Sequence, residues 1–284
     1  METIMLHLHA QTSIHAGAGS DDSAVDLPVQ REAHTGYPCV FGSSLKGALR
    51  SLGENTWKNE PDTVSRLFGT EATSDHAGAL LISDARLLLL PLRSLTGQFR
   101  WTTCPMILQR YQVDAARFGA SFEAAIPCVC SGTVLTPNND GALYIEEYRF
   151  TQAEGEISAD LIKRLADAMQ YANAADLLKE QLTILSNDDF AYLARYALPV
   201  NAHNVLNERK VADNLWYEET LPPDTVLYAG IAATDSRVQG ESEKAAAVMK
   251  NFRRLFEGKP WLQVGGNETV GMGWCHVSIR EGSA

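Results

Sequence analysis

The chain has 284 residues and a formal net charge of −11 at pH 7, and 45% of its residues are hydrophobic. This composition allows a substantial core and argues against a disordered or fibrous protein. No stretch approaches 18 consecutive apolar residues and the N-terminal segment lacks the pattern of a secretory signal, so we expect a cytoplasmic protein without a membrane partner.

The cysteines indicate the redox compartment of the protein, and the charge pattern bears on whether it binds nucleic acid. Five cysteines fit a reducing compartment, and we expect Cys128 and Cys130 to be buried apolar residues, because zinc ligands come at other spacings. The net negative charge argues against nucleic-acid binding, since phosphate contacts normally need a basic surface. Residues 86–118, however, carry five arginines against one aspartate, which makes this segment a candidate phosphate-facing strip or simply a solvated face.

The first half of the chain begins with a strand and a long loop. Residues 3–9 alternate in a way that predicts a half-buried strand, and the glycine-, serine- and aspartate-rich segment that follows predicts a loop. A helix is predicted next, with Ser43 or Ser44 as its cap and Gly53 closing it in a left-handed conformation. Residues 79–90 predict one buried strand.

The second half alternates helices and strands. Residues 104–118, 159–171 and 240–257 have helical spacing, whereas residues 200–230 predict strands that include a protruding hairpin. Two closing strands flank a loop that contains Gly265 and Gly273. This order is typical of an α+β fold with helices on one face of an antiparallel sheet, and we expect one domain with insertions over residues 1–284.

The first candidate site is the long loop from His15 to His34, which brings acids, a base and a cation together (Asp21, Asp22, Asp26, Arg31 and Glu32). Asp26 lies between apolar residues and a proline, so its carboxylate is expected to be held in place. Such a carboxylate could coordinate Mg²⁺ or position a ribose hydroxyl for attack on a phosphodiester, although it could also cap a turn. His15 could act as a general acid or base, or it could be structural.

Two further segments could bind phosphate. Lys46 and Arg50 lie one helical turn apart after Ser43 and Ser44, where they could hold phosphates at a helix N-terminus or form a solvated helix face. The loop GGNETVGMGW has glycines that could turn backbone amides toward phosphate oxygens (Gly265, Gly266, Gly271 and Gly273), or it could be a hairpin loop without a ligand. It opens no helix and lacks the dinucleotide fingerprint, so we exclude dinucleotide binding.

Three blocks in the chain resemble one family. Residues 14–50, IHAGAGSDDSAVDLPVQREAHTGYPCVFGSSLKGALR, closely resemble the N-terminal signature of the RAMP-superfamily backbone subunit of type III-B (Cmr) CRISPR complexes. LWYEETLPPDTVLYAG and VGGNETVGMGWC resemble its middle and C-terminal signatures. The blocks lie at the start, middle and end of the chain in the right order, so the resemblance covers the whole sequence.

The resemblance implies a ferredoxin-like, RRM-like fold with a thumb hairpin within about residues 200–220. It implies copies of the chain stacked along a CRISPR guide RNA, in contact with other Cmr subunits, that cut a complementary single-stranded target RNA. The aspartate required for cutting in the family falls on Asp26, with Mg²⁺ or Mn²⁺ as the expected cofactor. An acid of the WYEE block, Glu218 or Glu219, is implied to assist, and the helix of Lys46 and Arg50 is implied to contact guide RNA.

Three other functions stay open at the level of sequence. The chain could be an RNA-binding scaffold without catalysis, and Asp26 would then have no chemical role. It could process CRISPR RNA precursors with His15 as general acid or base. It could also be a metal-dependent phosphatase that uses Asp21, Asp22 and Asp26 without RNA, although no nucleotide fingerprint supports this.

Overall fold

The computed structural model describes residues 1–20, 24–70, 76–138, 141–240 and 243–280. Within these ranges the strands are β1 Glu2–Ala10, β2 Cys39–Val40, β3 Leu80–Ile82, β4 Ala85–Arg93, β5 Phe99–Thr103, β6 Thr133–Leu135, β7 Leu143–Ile145, β8 Tyr148–Gln152, β9 Leu182–Leu185, β10 Val200–Leu206, β11 Ala212–Glu219, β12 Val226–Ala233, β13 Trp261–Gln263 and β14 Trp274–Arg280. The α-helices are α1 Gly42–Thr56, α2 Pro61–Phe68, α3 Pro105–Arg117, α4 Ala159–Ala166, α5 Ala174–Gln181, α6 Asn187–Tyr196 and α7 Ala245–Arg254. The expected α+β class is confirmed.

Twelve of the strands form one sheet in the order β13-β14-β1-β12-β4-β5-β9-β6-β8-β7, with β2 beside β4 and β3 beside β12. The part from β13 to β5 is antiparallel, as expected. The pairs β5–β9 and β6–β8 are parallel, so the whole sheet is mixed. Long connections separate the two strands of each parallel pair, and α3, α4 and α5 lie between β5 and β9, as a parallel crossover requires.

The expectation of a half-buried first strand is wrong. In β1 every residue from Ile4 to Ala10 is buried, so both faces of this central strand are covered. His7 lies on the face that meets α3, where its Nε2 is 2.6 Å from the hydroxyl of Tyr111. His9 Nδ1 likewise accepts from the Gln170 amide at 3.3 Å, so the alternation of apolar residues with histidine reflects polar contacts inside the protein and not a solvated face.

The first helix begins and ends differently from the prediction. Neither Ser43 nor Ser44 caps α1; instead the Gly42 N–H donates to Oδ1 of Asp84 at 2.7 Å. Gly53 does not close the helix, which continues to Thr56. A Cβ at Gly53 would lie 3.4 Å from the ring of Phe68, so this glycine allows a close approach of neighbouring side chains.

Two further local predictions are wrong. Residues 79–90 form two strands and not one, because Ser83 interrupts them and its hydroxyl accepts a hydrogen bond from Gly230 N at 2.9 Å. Cys128 and Cys130 are exposed, whereas Val129 between them is buried. All five cysteines are free thiols. No helix within the described residues is long and apolar enough to cross a membrane.

A separate two-stranded sheet forms the hairpin expected after residue 200. β10 and β11 pair from Val200 with Glu219 to Leu206 with Ala212. Most of the hairpin is exposed, including apolar side chains near its tip, and only its foot at Glu218 and Glu219 is buried. An isolated hairpin is marginally stable in water, so the contacts at this foot anchor it.

Candidate functional site

Segments from three distant parts of the chain meet at the foot of the hairpin. Leu27 pairs with Glu218 in a parallel bridge, Ile14 pairs with Leu221, and Asn267 reaches Glu218 from the loop after β13. These are the three blocks that carried the family resemblance. The fold therefore brings together Ile14 and Asn267, which lie 253 residues apart in sequence, and the site is built around the end of β11.

Asp26 is held against the hairpin by the backbone. Its Oδ2 accepts a hydrogen bond from the Tyr217 amide at 2.7 Å, and the next amide, Leu27 N, donates to the Tyr217 carbonyl at 3.1 Å. The Glu219 amide donates in turn to the Leu27 carbonyl at 3.0 Å. Asp26 is half-buried, and its Oδ1 makes no hydrogen bond to the described residues. One oxygen thus fixes the side chain and the other can meet a ligand.

Glu219 and Arg31 form the clamp that holds this loop. The carboxylate of Glu219 accepts from the Val29 amide at 3.0 Å and from Arg31 Nη2 at 2.6 Å. Arg31 Nη1 also donates to the carbonyls of Gly36 and Ala194, at 2.8 and 2.9 Å. The expected RNA contact of Arg31 stays a prediction, but the donors of this guanidinium are already engaged within the protein. The geometry supports a positioning role for both residues.

His15 and Glu218 face each other beneath the hairpin. His15 is 8% exposed, and its Nδ1 donates to the Glu219 carbonyl at 2.8 Å. Oε1 of Glu218 lies 3.8 Å from the same nitrogen and accepts from Asn267 Nδ2 at 2.6 Å. Both side chains are buried, so the catalytic roles expected for His15 and for either glutamate stay predictions. Their contacts join the hairpin to the glycine-rich loop.

The backbone of the glycine-rich loop packs directly against the backbone of His15. A Cβ on Gly265 would lie 2.3 Å from the His15 carbonyl oxygen, and the Gly266 amide donates to that oxygen at 2.8 Å. The amides of Gly271 and Gly273 also donate inside the protein, to Glu268 and Ser13. These amides are therefore engaged without phosphate, and RNA binding by the four glycines stays a prediction.

Some of the α1 residues expected to bind RNA already make hydrogen bonds within the protein, and others do not. Arg50 donates to Glu54 at 2.8 Å and to the Gly69 carbonyl at 3.0 Å. Ser44 accepts from Gln30 at 3.0 Å, whereas Ser43 is exposed. Lys46 has no ion-pair partner among the described residues, so it is the member of this group most available to a phosphate.

Gln30 is a site residue that sequence reasoning missed. It is buried, its Oε1 accepts from the Phe41 amide at 2.6 Å, and its Nε2 donates to the Gly17 carbonyl at 3.0 Å. It thereby joins the Asp26 loop to the start of α1. Residue type alone does not reveal it, because the burial that makes partners necessary for a glutamine is visible only in the fold.

The basic strip of residues 86–118 is largely neutralised. Arg86 donates to Asp114 at 2.8 Å, Arg110 pairs with Glu32, and Arg93 pairs with Glu146. The partners come from outside the segment or from its single aspartate, which a count of local charge cannot reveal. The expectation of a phosphate-facing strip is therefore not supported for these three arginines.

Asp26, half-buried at the hairpin foot, is the candidate metal ligand. No three His, Cys, Asp or Glu side chains gather there into a metal-binding group. Asp21 and Asp22 lie outside the described residues. Asp26 offers a single carboxylate oxygen, which fits a hard cation such as Mg²⁺ only if other oxygens come from a bound molecule, as phosphate oxygens do in many nucleotide-binding sites.

Comparison with known proteins defines the class. The family model described as "RAMP superfamily" matches residues 7–276. The chain belongs to the RAMP superfamily.

Individual relatives match along the full length. The chain is 31% identical over 99% of its residues to "CRISPR system Cmr endoribonuclease Cmr4" from Pyrococcus furiosus, 97% of which is covered. The solved structure "Crystal structure of oligomeric Cmr4 from Pyrococcus furiosus" has a TM-score of 0.76 and 27% identity, with 100% of both chains covered. A chain of "Cryo-EM structure of the Type III-B Cmr-beta bound to cognate target RNA" has a TM-score of 0.75 at 19% identity, with 98% of this chain and 97% of that chain covered, and it shows the same fold.

Proposed function

We propose that this chain is the repeated backbone subunit of a type III-B CRISPR effector complex, where it binds guide RNA and cuts complementary single-stranded target RNA. The observation that carries the proposal is the convergence of the Asp26 loop, the end of β11 and the loop after β13 at one hairpin foot. The full-length similarity to a Cmr endoribonuclease supports the same function. Its partners would be further copies of itself and other Cmr subunits, in the cytoplasm.

Asp26 is the proposed catalytic residue. RNA cleavage needs a ribose 2′-hydroxyl in line with the neighbouring phosphorus, and orientation of this kind contributes much of the rate of such reactions. With Oδ2 held by the Tyr217 amide, the free Oδ1 would accept a hydrogen bond from that hydroxyl and orient it for attack. The carboxylate would act only when RNA lies along the hairpin foot.

Mg²⁺ or Mn²⁺ is the proposed cofactor. Asp26 would supply one ligand and the RNA phosphate oxygens would supply others, since no three His, Cys, Asp or Glu side chains gather into a metal-binding group among the described residues. When bound, the ion would neutralise negative charge that develops on the phosphate. The residues of the chain have a separate task, because Arg31 and Glu219 hold Asp26 in place whether or not an ion is bound.

The proposed thumb is the hairpin of β10 and β11. It stands out from the main sheet, its sides are exposed, and its foot carries the candidate site, so it is suited to separate paired bases beside Asp26. The proposed ferredoxin-like unit consists of β14, β1, β12 and β4 with α1 and α7 in the connections. This strand order and these antiparallel pairs support that assignment.

The test is a reconstituted complex that carries Asp26→Asn in every copy of the chain. We expect normal binding of guide and target RNA and loss of target cutting, because asparagine keeps the size of the side chain and removes its charge. Asp213→Asn, an exposed aspartate on the hairpin, is the matched control and should cut normally. If the Asp26→Asn complex still cuts target RNA, Asp26 is not the catalytic residue and the chain keeps only its role as an RNA-binding scaffold. If the isolated chain cuts a guide precursor without metal, the chain is a processing enzyme.

A further inference from the structure

A cluster of tyrosines covers the surface beside the hairpin foot. Tyr192 and Tyr196 lie one turn apart on α6, and Tyr148 begins β8. The ring centroids of Tyr148 and Tyr192 are 5.5 Å apart, and those of Tyr192 and Tyr196 are 4.9 Å apart. All three rings are exposed, Tyr196 over 66% and Tyr192 over 48% of their surfaces. We call these three residues the tyrosine cluster.

Two of the three hydroxyls in the tyrosine cluster are hydrogen-bonded to each other. The hydroxyls of Tyr148 and Tyr192 lie 2.9 Å apart and share a hydrogen bond. This bond raises the pKa of Tyr148 to about 12, so the hydroxyl stays protonated at neutral pH. The cluster presents aromatic surface to solvent, and an exposed group of rings is unusual enough to mark a binding surface.

Two arginines adjoin the tyrosine cluster in sequence, of which Arg149 lines a cavity at the cluster and Arg195 has its guanidinium beside Gly36. Arg149 follows Tyr148 and Arg195 precedes Tyr196, and both are exposed. Neither guanidinium has an ion-pair partner among the described residues, in contrast to Arg31, Arg86 and Arg110. Exposed aromatic rings beside unpaired arginines are the usual surface on which proteins stack the bases of single-stranded nucleic acids.

Cavities lie on both sides of the Tyr148–Tyr192 pair. One, of about 410 Å³, extends from the pair to Tyr196 and to Val200 at the start of the hairpin. The other, of about 510 Å³, is lined by Arg149 and the same two tyrosines. Both volumes are in the range of sites that hold a small aromatic ligand. Glu147 and Asp188 also line these cavities, so stacking and not phosphate attraction would supply the affinity.

Hydrogen bonds and strand pairing connect the elements of the tyrosine cluster to the candidate site. Arg31, which holds Glu219, donates to the carbonyl of Ala194 at 2.9 Å and to that of Arg195 at 3.3 Å near the end of α6. Val200, which lines the cavity of about 410 Å³, pairs with Glu219 across the hairpin foot. The end of α6 and the Asp26 loop are therefore held by the same side chain, Arg31.

We propose that the tyrosine cluster is a stacking subsite for an unpaired nucleobase of single-stranded RNA, with Tyr196 as its outer ring. The proposal rests on the proposed function, since it names a second point at which the chain holds RNA. The ligand is recognised by its π-face and not by its hydrogen-bonding edge, so the subsite accepts any base. It fixes the strand beside the hairpin foot while Asp26 acts on it.

The test uses the full chain and a single-stranded RNA that carries one 5-iodouridine, with crosslinked residues identified by mass spectrometry. We expect crosslinks to Tyr192 or Tyr196. Binding is measured by fluorescence anisotropy at fixed salt, where Tyr196→Leu should weaken the affinity about 10-fold and Tyr196→Phe should keep it. Tyr144→Leu, at an exposed tyrosine that lines neither cavity, is the control and should bind as the wild type does.

The outcomes distinguish failure of the stacking subsite from failure of the proposed function. If the wild type binds RNA but Tyr196→Leu binds equally well and the crosslinks fall elsewhere, the subsite is refuted and the RNA-binding function stands. If sedimentation velocity shows that Tyr196→Leu alters self-association and leaves RNA affinity unchanged, the cluster is a contact between copies and the proposal is wrong. If the wild type binds no RNA, alone or in the reconstituted complex, both proposals fail together.

Discussion

Replacing Arg31 with methionine is expected to destabilise the protein and release the Asp26 loop. Methionine keeps the apolar stem but removes the donors to Gly36, Ala194 and Glu219. The carboxylate of Glu219, only 9% exposed, would then be buried without its cation. Breaking one side of a buried ion pair typically costs about 3–5 kcal/mol.

The lower end of that range applies here, because the Arg31 side chain is 20% exposed and water can replace part of its interactions. We therefore expect a loss of about 3 kcal/mol. For a chain of this size the melting temperature should fall by about 6 °C. Adding Glu219→Gln removes the unpaired charge, so the double variant should be less destabilised than the sum of the two single variants.

The assay combines thermal unfolding with amide hydrogen exchange. Arg31→Met should lower the melting temperature and speed exchange at Leu27 and Glu219, whose amides join the loop to the hairpin. Arg209→Met, at the exposed hairpin turn, is the control and should change stability by less than about 0.5 kcal/mol. A melting temperature within about 1 °C of the wild type, with unchanged exchange at both amides, would refute the clamp.

Two other variants test the surroundings of the site. Gly265→Ala should be the more damaging of two left-handed glycine substitutions in thermal unfolding, because its Cβ would meet the His15 carbonyl at 2.3 Å whereas Gly271→Ala enters open space. Equal losses would contradict this. Burial lowers the pKa of His7 to about 3, well below its usual value. The stability that the neutral, buried imidazole contributes to the fold is therefore complete above about pH 6.5 and is lost as the pH falls toward 3. His7→Asn should reduce the loss of stability from pH 6.5 to 4, by roughly 1 kcal/mol per pH unit, and the exposed His34→Asn should not; an unchanged pH dependence for His7→Asn would contradict the assignment.

Local patterns predicted most elements because those signals are local. The spacing of apolar residues identified α3, α7 and the two strands of the hairpin, although α4 ends at Ala166 and not at residue 171. Errors arose where a distant partner decided the outcome. Asp84 and not a serine caps α1, and Ser83 pairs with Gly230 and splits a predicted strand in two.

The candidate site shows the same limit. The Asp26 loop, the WYEE block and the glycine-rich loop could each be singled out from sequence, but only the fold shows that they meet. Residue type alone could not separate Asp26, with a free oxygen, from Glu219, whose carboxylate is taken by Arg31 and a backbone amide. Nor could it show that Arg86, Arg93 and Arg110 of the basic strip form ion pairs, whereas Arg149 and Arg195 have no ion-pair partner among the residues that the structure describes.

The most direct test of the central claim maps what lies beside residue 26 in the assembled complex. Asp26→Cys, in a background with Cys128→Ser and Cys130→Ser so that the exposed thiols are removed, is labelled with a benzophenone and loaded with guide and target RNA. It should crosslink to target nucleotides on either side of the linkages that the wild-type complex cuts. Crosslinks only to guide RNA or to protein, with none at those target positions, would contradict the assignment of Asp26 to the cleavage reaction.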